Sequence, residues 1–324
     1  MARLLLVANP AAAGFTGALY REVAATLAAA YELTVVWPTT REQAREIATQ
    51  AAAGGFELAV AFGGDGVAHH VANGIAGTKT GLGIIPAGTT NVLVRILGLP
   101  RRPKEAAGYL AEHPPLRTVP MAHLTSDGLL GTRSDHALFA VGMGYDAEVV
   151  EQAEQQPFRK LRLGGVHYAR SAGWVLWSRF RRRPPMLGVE TEGRRARAVG
   201  VLVQVHWPYT YFGHVPLSVT PAPEEGLSAL VIERLDLLRL PGLLWRMVRR
   251  GDLGSVPGLQ VWPDCRKLVV EAEPSSWVQS DGELLGKVRQ LEISHVADRL
   301  LVTTSPTPAR RRGWRVRRSS GGRL

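Results

Sequence analysis

Ala61-Phe62-Gly63-Gly64-Asp65-Gly66 closes an apolar run, Leu58 to Phe62, and leads into a helical segment, Val67 to Ile75. An apolar strand, a glycine-rich turn and a helix in that order form a phosphate-loop candidate. Glycines permit positive φ and leave backbone N–H groups uncovered, so an anion can approach them and the helix N-terminus together. The bland alternative is a tight turn with Asp65 as a helix cap. No lysine of the Walker type accompanies the glycines.

Outward from this loop, the chain alternates strand-like and helical segments. Strands are expected over Leu4 to Ala8, Leu33 to Trp37, Leu58 to Phe62 and Leu82 to Ile85; helices over Gly17 to Ala30, Arg41 to Ala53, Val67 to Ile75 and Val92 to Leu97. Such alternation implies an α/β unit with a largely parallel sheet. A second loop, Ile84-Ile85-Pro86-Ala87-Gly88-Thr89-Thr90-Asn91, ends the next strand, and a third, Val7 to Gly14, ends the first. Ligands of open α/β sheets bind where neighbouring strand ends meet, so the paired loops can grip one nucleotide. Asn9 either ties the loops together through its side chain or only makes a turn with Pro10.

Pro100, Pro103, Pro114 and Pro115 punctuate the chain, and strand-like runs dominate after them: Arg117 to His123, Ala137 to Val141, Val199 to His206, Ala229 to Arg234 and Lys267 to Glu271. The expected organisation is an α/β nucleotide-binding domain over residues 1–116, a β-rich domain over 117–305 whose last segment is free to return to the first, and a basic tail over 306–324. Two helical segments, Gly165 to Arg181 and Leu238 to Arg250, interrupt the second domain. They carry Trp174, Trp177 and Trp245, read as core residues first and as headgroup-region contacts second.

The 324 residues are 45% hydrophobic and 21% charged, and no apolar run reaches the ~18 residues of a membrane-spanning helix. The apolar start stops at Asn9-Pro10, too early for a signal peptide, so a cytoplasmic protein is expected. One cysteine, Cys265, allows no internal disulfide and suggests packing. The net charge is +11, and the tail from Ala309 to Leu324 has seven arginines and no acid. Such a tail is either a solvated appendage or an attraction for anionic lipid headgroups, at about 1 kcal/mol per basic residue near the surface. No nucleic-acid motif accompanies it, so nucleic acid is not an expected partner. Homodimerisation is left open.

Taken together, Asn9-Pro10-x3-Gly14, Gly63-Gly64-Asp65-Gly66 with Asn73-Gly74 after it, and Pro86-x-Gly88-Thr89-x-Asn91-x3-Arg95 resemble the diacylglycerol kinase catalytic domain family, which includes sphingosine and ceramide kinases. Gly142-Met143-Gly144-Tyr145-Asp146-Ala147, the acidic Pro223-Glu224-Glu225-Gly226-Leu227 and the late Ser280-Asp281-Gly282-Glu283 extend the resemblance to roughly residues 3–305. It implies an ATP site in a domain of the NAD kinase and phosphofructokinase type, a mostly antiparallel, β-sandwich-like second domain, and a lipid hydroxyl presented between them. By resemblance, Gly63, Gly64, Asp65, Gly66, Val67, Ala68 and His69 wrap the nucleotide phosphates. Gly88, Thr89 and Asn91 belong to the second loop of the site, Thr39 or Thr40 lies near the nucleotide, and Glu283 accepts a proton. Asp281, two residues earlier, is a candidate for organising Mg²⁺, Asp65 for organising the loop or metal, and Glu224 and Glu225 for a structural Mg²⁺ site. A hairpin turn is the alternative for Asp281-Gly282.

The chain departs from the family where Thr is usual and has Val67, where Glu is usual and has His70, and where an Asp pair gives way to Glu224 and Glu225. The expected activity is transfer of the ATP γ-phosphate to a lipid hydroxyl at the membrane surface, diacylglycerol before a sphingoid base. A non-catalytic lipid- or nucleotide-binding regulator is the alternative from another class. A soluble-metabolite kinase fits less well, because the late Asp-Gly-Glu and the acidic segment have no place in it.

Overall fold

Leu4, Leu6 and Ala8 on one face of the first strand and Leu5 and Val7 on the other are all buried, which is why the run lacks polar alternation. The structure is a computed structural model that describes residues 1–128, 131–155, 170–180, 183–236, 240–249 and 253–304. The expected basic tail falls outside these residues. The first half runs β1 (Arg3–Ala8), α1 (Gly17–Ala28), β2 (Glu32–Val36), α2 (Arg41–Ala53), β3 (Leu58–Gly63), α3 (Asp65–Ile75), β4 (Gly81–Pro86), α4 (Val92–Leu97) and α5 (Pro103–Ala111). Strands β2, β1, β3 and β4 pair in parallel in that order. Val23 and Leu27 of α1 and Leu110 of α5 cover one face; Ala44 and Ala48 of α2 and Val71, Ala72 and Ile75 of α3 cover the other.

The second half is β5 (Leu116–Gly128), β6 (Gly131–Ala137), β7 (Ala140–Gly144), α6 (Tyr145–Glu154), β8 (Leu187–Thr191), β9 (Arg194–Ala198), β10 (Gly200–Gln204), β11 (Thr210–Phe212), β12 (Val215–Leu217), β13 (Leu227–Ile232), α7 (Leu240–Arg249), β14 (Leu259–Cys265), β15 (Lys267–Ser280) and β16 (Glu283–Thr303). Its strand pairs are antiparallel, and residues of β5, β7, β8, β10, β13, β15 and β16 share one buried interior. Among the described residues the fold is thus a parallel α/β half joined to a mainly antiparallel β half in one 14-stranded sheet. The join is β16, antiparallel to β5 and β15 and, at Val302 beside Leu82, parallel to β4. Among the described residues no helix is long and apolar enough to cross a membrane.

Two sequence expectations change. The run Ala137 to Val141 is not one strand, because the backbone N–H groups of Leu138, Phe139 and Ala140 all donate to the Asp281 carboxylate (2.7, 2.8 and 3.0 Å), leaving β6 and β7 separate. Residues 170–180 are helical and close in a π-helical turn, Leu176–Phe180, but Trp174 and Trp177 are exposed, as is Trp245 on α7, so none of the three is a core residue. Residues 165–169 and 181 of the predicted helix Gly165 to Arg181, and 238, 239 and 250 of the predicted helix Leu238 to Arg250, lie outside the described residues.

A buried polar clamp holds α3 against the β half. His69 Nδ1 stands 2.9 Å from Asp281 Oδ2 and Nε2 stands 3.2 Å from Asp135 Oδ2. Asn73, one helical turn on, exchanges two hydrogen bonds with the His136 backbone, donating to its carbonyl (2.9 Å) and accepting from its N–H (2.8 Å). Burial works against a charged imidazole, but the hydrogen bonds and charges of Asp135 and Asp281 outweigh it and raise His69 to about 10. Asp135 is also paired with Arg45 of α2 at 3.2 Å.

Because the folded pKa lies above the ordinary 6.5, the stability this clamp contributes is complete below pH 6.5 and is lost as pH rises through about 10. Urea midpoints of the wild type should therefore fall between pH 7 and 10. His69→Gln, which removes the titrating group and leaves two buried carboxylates facing each other, should be less stable at pH 7 by about 3–5 kcal/mol and flatter over that window. A wild-type profile as flat as the variant's would show that His69 is neutral.

Helices α2 and α3 meet at Gly74, where a Cβ would stand 2.5 Å from the Arg45 carbonyl oxygen and 2.6 Å from Ala48 Cβ. Gly74→Ala gains helix propensity but overpacks this contact, so a net loss of ~1–3 kcal/mol is expected by urea titration. Stability equal to the wild type would mean that the helices separate freely.

Candidate active site

The loops after β1, β3 and β4 meet at one end of the parallel sheet and are bonded through their backbones. Ala87 N–H donates to Gly63 O (2.7 Å) and Gly14 N–H to Ala87 O (2.8 Å). Gly64 and Gly88 touch: a Cβ on Gly88 would lie 2.7 Å from Gly64 Cα. None of Gly63, Gly64 and Gly66 has positive φ, so these glycines are required for close approach and not, as the sequence suggested, for a left-handed backbone. The first N–H groups of α3, at Asp65, Gly66 and Val67, have no acceptor within the helix and are the donors from which an anion cradle is expected. The Val67 side chain packs under Gly63, and Ala68 is buried in the core.

Asp65 does not cap its own helix. Its carboxylate accepts from the backbone N–H of Val92 (2.9 Å) and Leu93 (3.1 Å), fastening the glycine loop to the N-terminus of α4. Burial nevertheless raises its carboxyl to about 6 against these two hydrogen bonds. Asn91, at φ 48°, accepts from Gly88 N–H (3.1 Å) and donates to Gly88 O (2.8 Å), closing the second loop on itself. Asn9 accepts from Ala11 N–H (2.9 Å), the turn-forming alternative. Thr40 caps α2 by accepting from Gln43 N–H (3.1 Å), and the Thr39 hydroxyl donates to Gln43 Oε1 (3.0 Å). Both are exposed, as is Thr89.

Asp281 and Gly282 form the two-residue turn between β15 and β16, both at positive φ (53° and 86°), so the hairpin alternative is correct. That turn delivers Glu283 to the glycine loop, where a Cβ on Gly66 would collide with Glu283 Oε1. The distant carboxylate and the loop are thereby in van der Waals contact. Glu283 Oε2 lies 2.8 Å from Arg41 Nη1 and 3.9 Å from His70 Nε2. Burial favours its protonated form, but His70 and Arg41 prevail and hold the carboxyl below the usual glutamate value, hence ionised. Arg41 also reaches Glu154 of α6 at 3.6 Å.

The expectation that Asp281 organises a metal is corrected by its hydrogen bonds. Its two oxygens accept from His69 and three backbone N–H groups, which uses the carboxylate's capacity. Glu224 and Glu225 are exposed, and their backbone N–H groups donate to Asp264 (2.8 and 3.2 Å). Among the described residues no three His, Cys, Asp or Glu side chains converge on a cation position. Sequence reading had missed Arg41, although it follows Thr39-Thr40 directly, and Asp135, which no local pattern marks.

Beside this junction lies a cavity of about 630 Å³. Its walls are apolar, with Leu202, Leu230, Ile232, Leu243 and Leu259 among them, and Asp65, Asp281 and Gly282 bound its polar end. There Asp146 accepts from Tyr209 (2.7 Å) and from Gln279 (2.7 Å), whose Oε1 in turn accepts from Gly282 N–H (2.7 Å). Arg95 of α4 closes the arrangement: Nη1 donates to Gly213 O (2.5 Å) and the guanidinium lies over the Tyr211 ring (4.7 Å), tying the β11–β12 hairpin to the helix that Asp65 caps.

Comparison with known proteins agrees with this geometry. A diacylglycerol kinase of Bacillus subtilis (strain 168) is 43% identical over 75 residues, which are 22% of this chain and 25% of that protein. The sequence likeness thus spans about a quarter of that relative's length. In structure, a Bacillus anthracis str. Sterne protein whose diacylglycerol kinase assignment is provisional superposes with a TM-score of 0.73 at 21% identity, covering 94% of this chain and 95% of that one. Yeast NADH kinase, in complex with NADH, superposes with a TM-score of 0.55 at 12% identity, covering 94% and 84%. The fold of this chain is thus the one seen in these solved structures, and residues 3–121 match the family model described as "Diacylglycerol kinase catalytic domain".

Proposed function

We propose that this protein is a lipid kinase that transfers the γ-phosphate of ATP to a lipid hydroxyl, with diacylglycerol as the first acceptor to test. The observation that carries this reading is the apolar cavity whose polar end abuts the contact between the glycine loop and the Asp281–Glu283 turn. A nicotinamide dinucleotide, polar along its whole length, has no use for such walls, whereas acyl chains do. The family-model match over residues 3–121 supports the reaction class, and the fold shared with NADH kinase supports nucleotide use.

In this scheme the N–H groups at the start of α3 hold the nucleotide phosphates and the Asp65 bridge to α4 keeps the cradle shaped. Glu283 takes the proton of the acceptor hydroxyl as that oxygen bonds to the γ-phosphorus and the bond to the ADP oxygen breaks. Arg41 orients Glu283 and keeps it ionised. Mg²⁺ would neutralise phosphate charge, arriving with the nucleotide; the described residues build no cage for it and none is assigned as its ligand. The Arg-rich tail is proposed to add attraction to anionic membrane.

The decisive assay incubates the full chain and ATP with diacylglycerol, a sphingoid base and NAD in parallel, identifying product by mass. Phosphorylation of neither lipid would defeat the reading. Given activity, Glu283→Gln should lower kcat by roughly 10²-fold or more and leave ATP affinity by calorimetry within error, since the lost interaction belongs to the transition state. Wild-type turnover by this variant would remove Glu283 from the reaction. Arg41→Gln should act differently: losing the cation raises the Glu283 pKa, so the acid limb of the kcat/KM profile should move to higher pH. An unmoved limb would leave Arg41 without influence on the base.

A further inference from the structure

We infer that the rim of the apolar cavity is a bilayer-docking face, formed by α7, the β11–β12 hairpin and the helical segment at 170–180, on which the protein sits so that the cavity opens into lipid. The inference rests on the lipid-kinase reading for its purpose but not for its test. Phe212, Val215 and Val248 line the cavity and yet are 41%, 40% and 47% exposed, so the apolar wall continues outward to solvent at these residues. Trp245, 55% exposed, extends that surface along α7, and the helical segment at 170–180 borders the cavity through Ala172. Leu243 and Met247 of the same helix face inward, so among its described side chains α7 is amphipathic, with Trp245 and Val248 set among arginines on the outer side.

Chemistry on the rim selects the occupant. The Arg249 guanidinium lies 5.7 Å from the Trp245 ring centroid, a pairing of flat amphipathic ring and fixed cation suited to the headgroup layer. On the hairpin side, exposed Arg101 stands 3.2 Å from His214 Nδ1, and Arg95 holds the hairpin itself. These cations complement an anionic lipid surface. A protein partner seated on the same residues would stopper the cavity, whereas a bilayer is continuous with the content its walls suit and lets a lipid enter without its chains crossing water.

The test uses the full chain, without ATP, sedimented with vesicles of phosphatidylcholine alone or mixed with phosphatidylglycerol, at low salt and at about 1 M salt. The Debye length there is ~3 Å, and attraction through the arginine tail is screened out. Wild type should bind the anionic vesicles at low salt and keep a salt-resistant remainder. Trp245→Glu should lower that remainder about tenfold, Trp245→Phe should restore most of it, and brominated phosphatidylcholine should quench wild-type tryptophan emission more than that of Trp245→Phe. Complete loss of wild-type binding in high salt would assign attachment to charge alone and overturn the inference, as would unchanged binding by a folded Trp245→Glu. An inactive protein that still binds through Trp245 would sink the catalytic reading and leave the docking face standing.

Discussion

Withdrawing an imidazolium and two carboxylates from water costs several kcal/mol per charge, and the cost is met only where geometry and hydrogen bonding are both good. His69, Asp135 and Asp281 satisfy that condition at the seam between the parallel and antiparallel parts. Because the Asp281 carboxylate also gathers three consecutive backbone N–H groups, it interrupts what would otherwise be one strand across residues 137–141 and fixes the β15–β16 turn against it. The position of Glu283 on Gly66 follows, since the turn residue and its neighbour cannot move separately. A residue expected to act on metal thus does something else of equal consequence: it locates the carboxylate beside it.

Much of the first half was legible in the sequence because its signals are local. The predicted α2 and α4 match the observed bounds, and the strands differ by no more than a residue at each end, since β1, β3 and β4 are apolar runs buried on both faces and β2 is a short apolar run at the sheet edge. The second half was less legible. β16 alternates charged and apolar residues irregularly through a register shift between Val296 and Leu300, so no period-2 pattern marks it. The site was legible as a set of motifs but not as a set of roles. Asn9 and Asn91 bond within their own loops, but Asp65 and Asp281 spend their side chains on backbone N–H groups 27 and 143 residues away, a use that leaves no trace in local spacing. The tryptophans reversed the usual assumption for the same reason: whether a large apolar side chain is core or surface depends on which face of its helix the rest of the fold covers.

The likeness to both diacylglycerol and NAD kinases shows how little the fold decides about the acceptor. A glycine turn at the end of a parallel strand meets a general need, phosphate held by backbone N–H groups. What stands opposite that turn here is an apolar hollow with a polar floor. Arg95 links the two, since it projects from the helix capped by the glycine loop's Asp65 and grips the hairpin at the cavity's rim.

The single-residue parallel contact between β4 and β16 also bears on how the chain is made. β4 is complete at Pro86, but the strand that covers its outer edge ends at Thr303, about 200 residues later. At ~5–20 residues per second, the nascent parallel half spends roughly 10–40 s on the ribosome with an open edge of the kind that templates wrong pairings. Until β16 is made, the edge of β4 is closed by no strand of its own chain, so the two ends of the sheet are completed in the reverse of the order in which a growing chain would protect them.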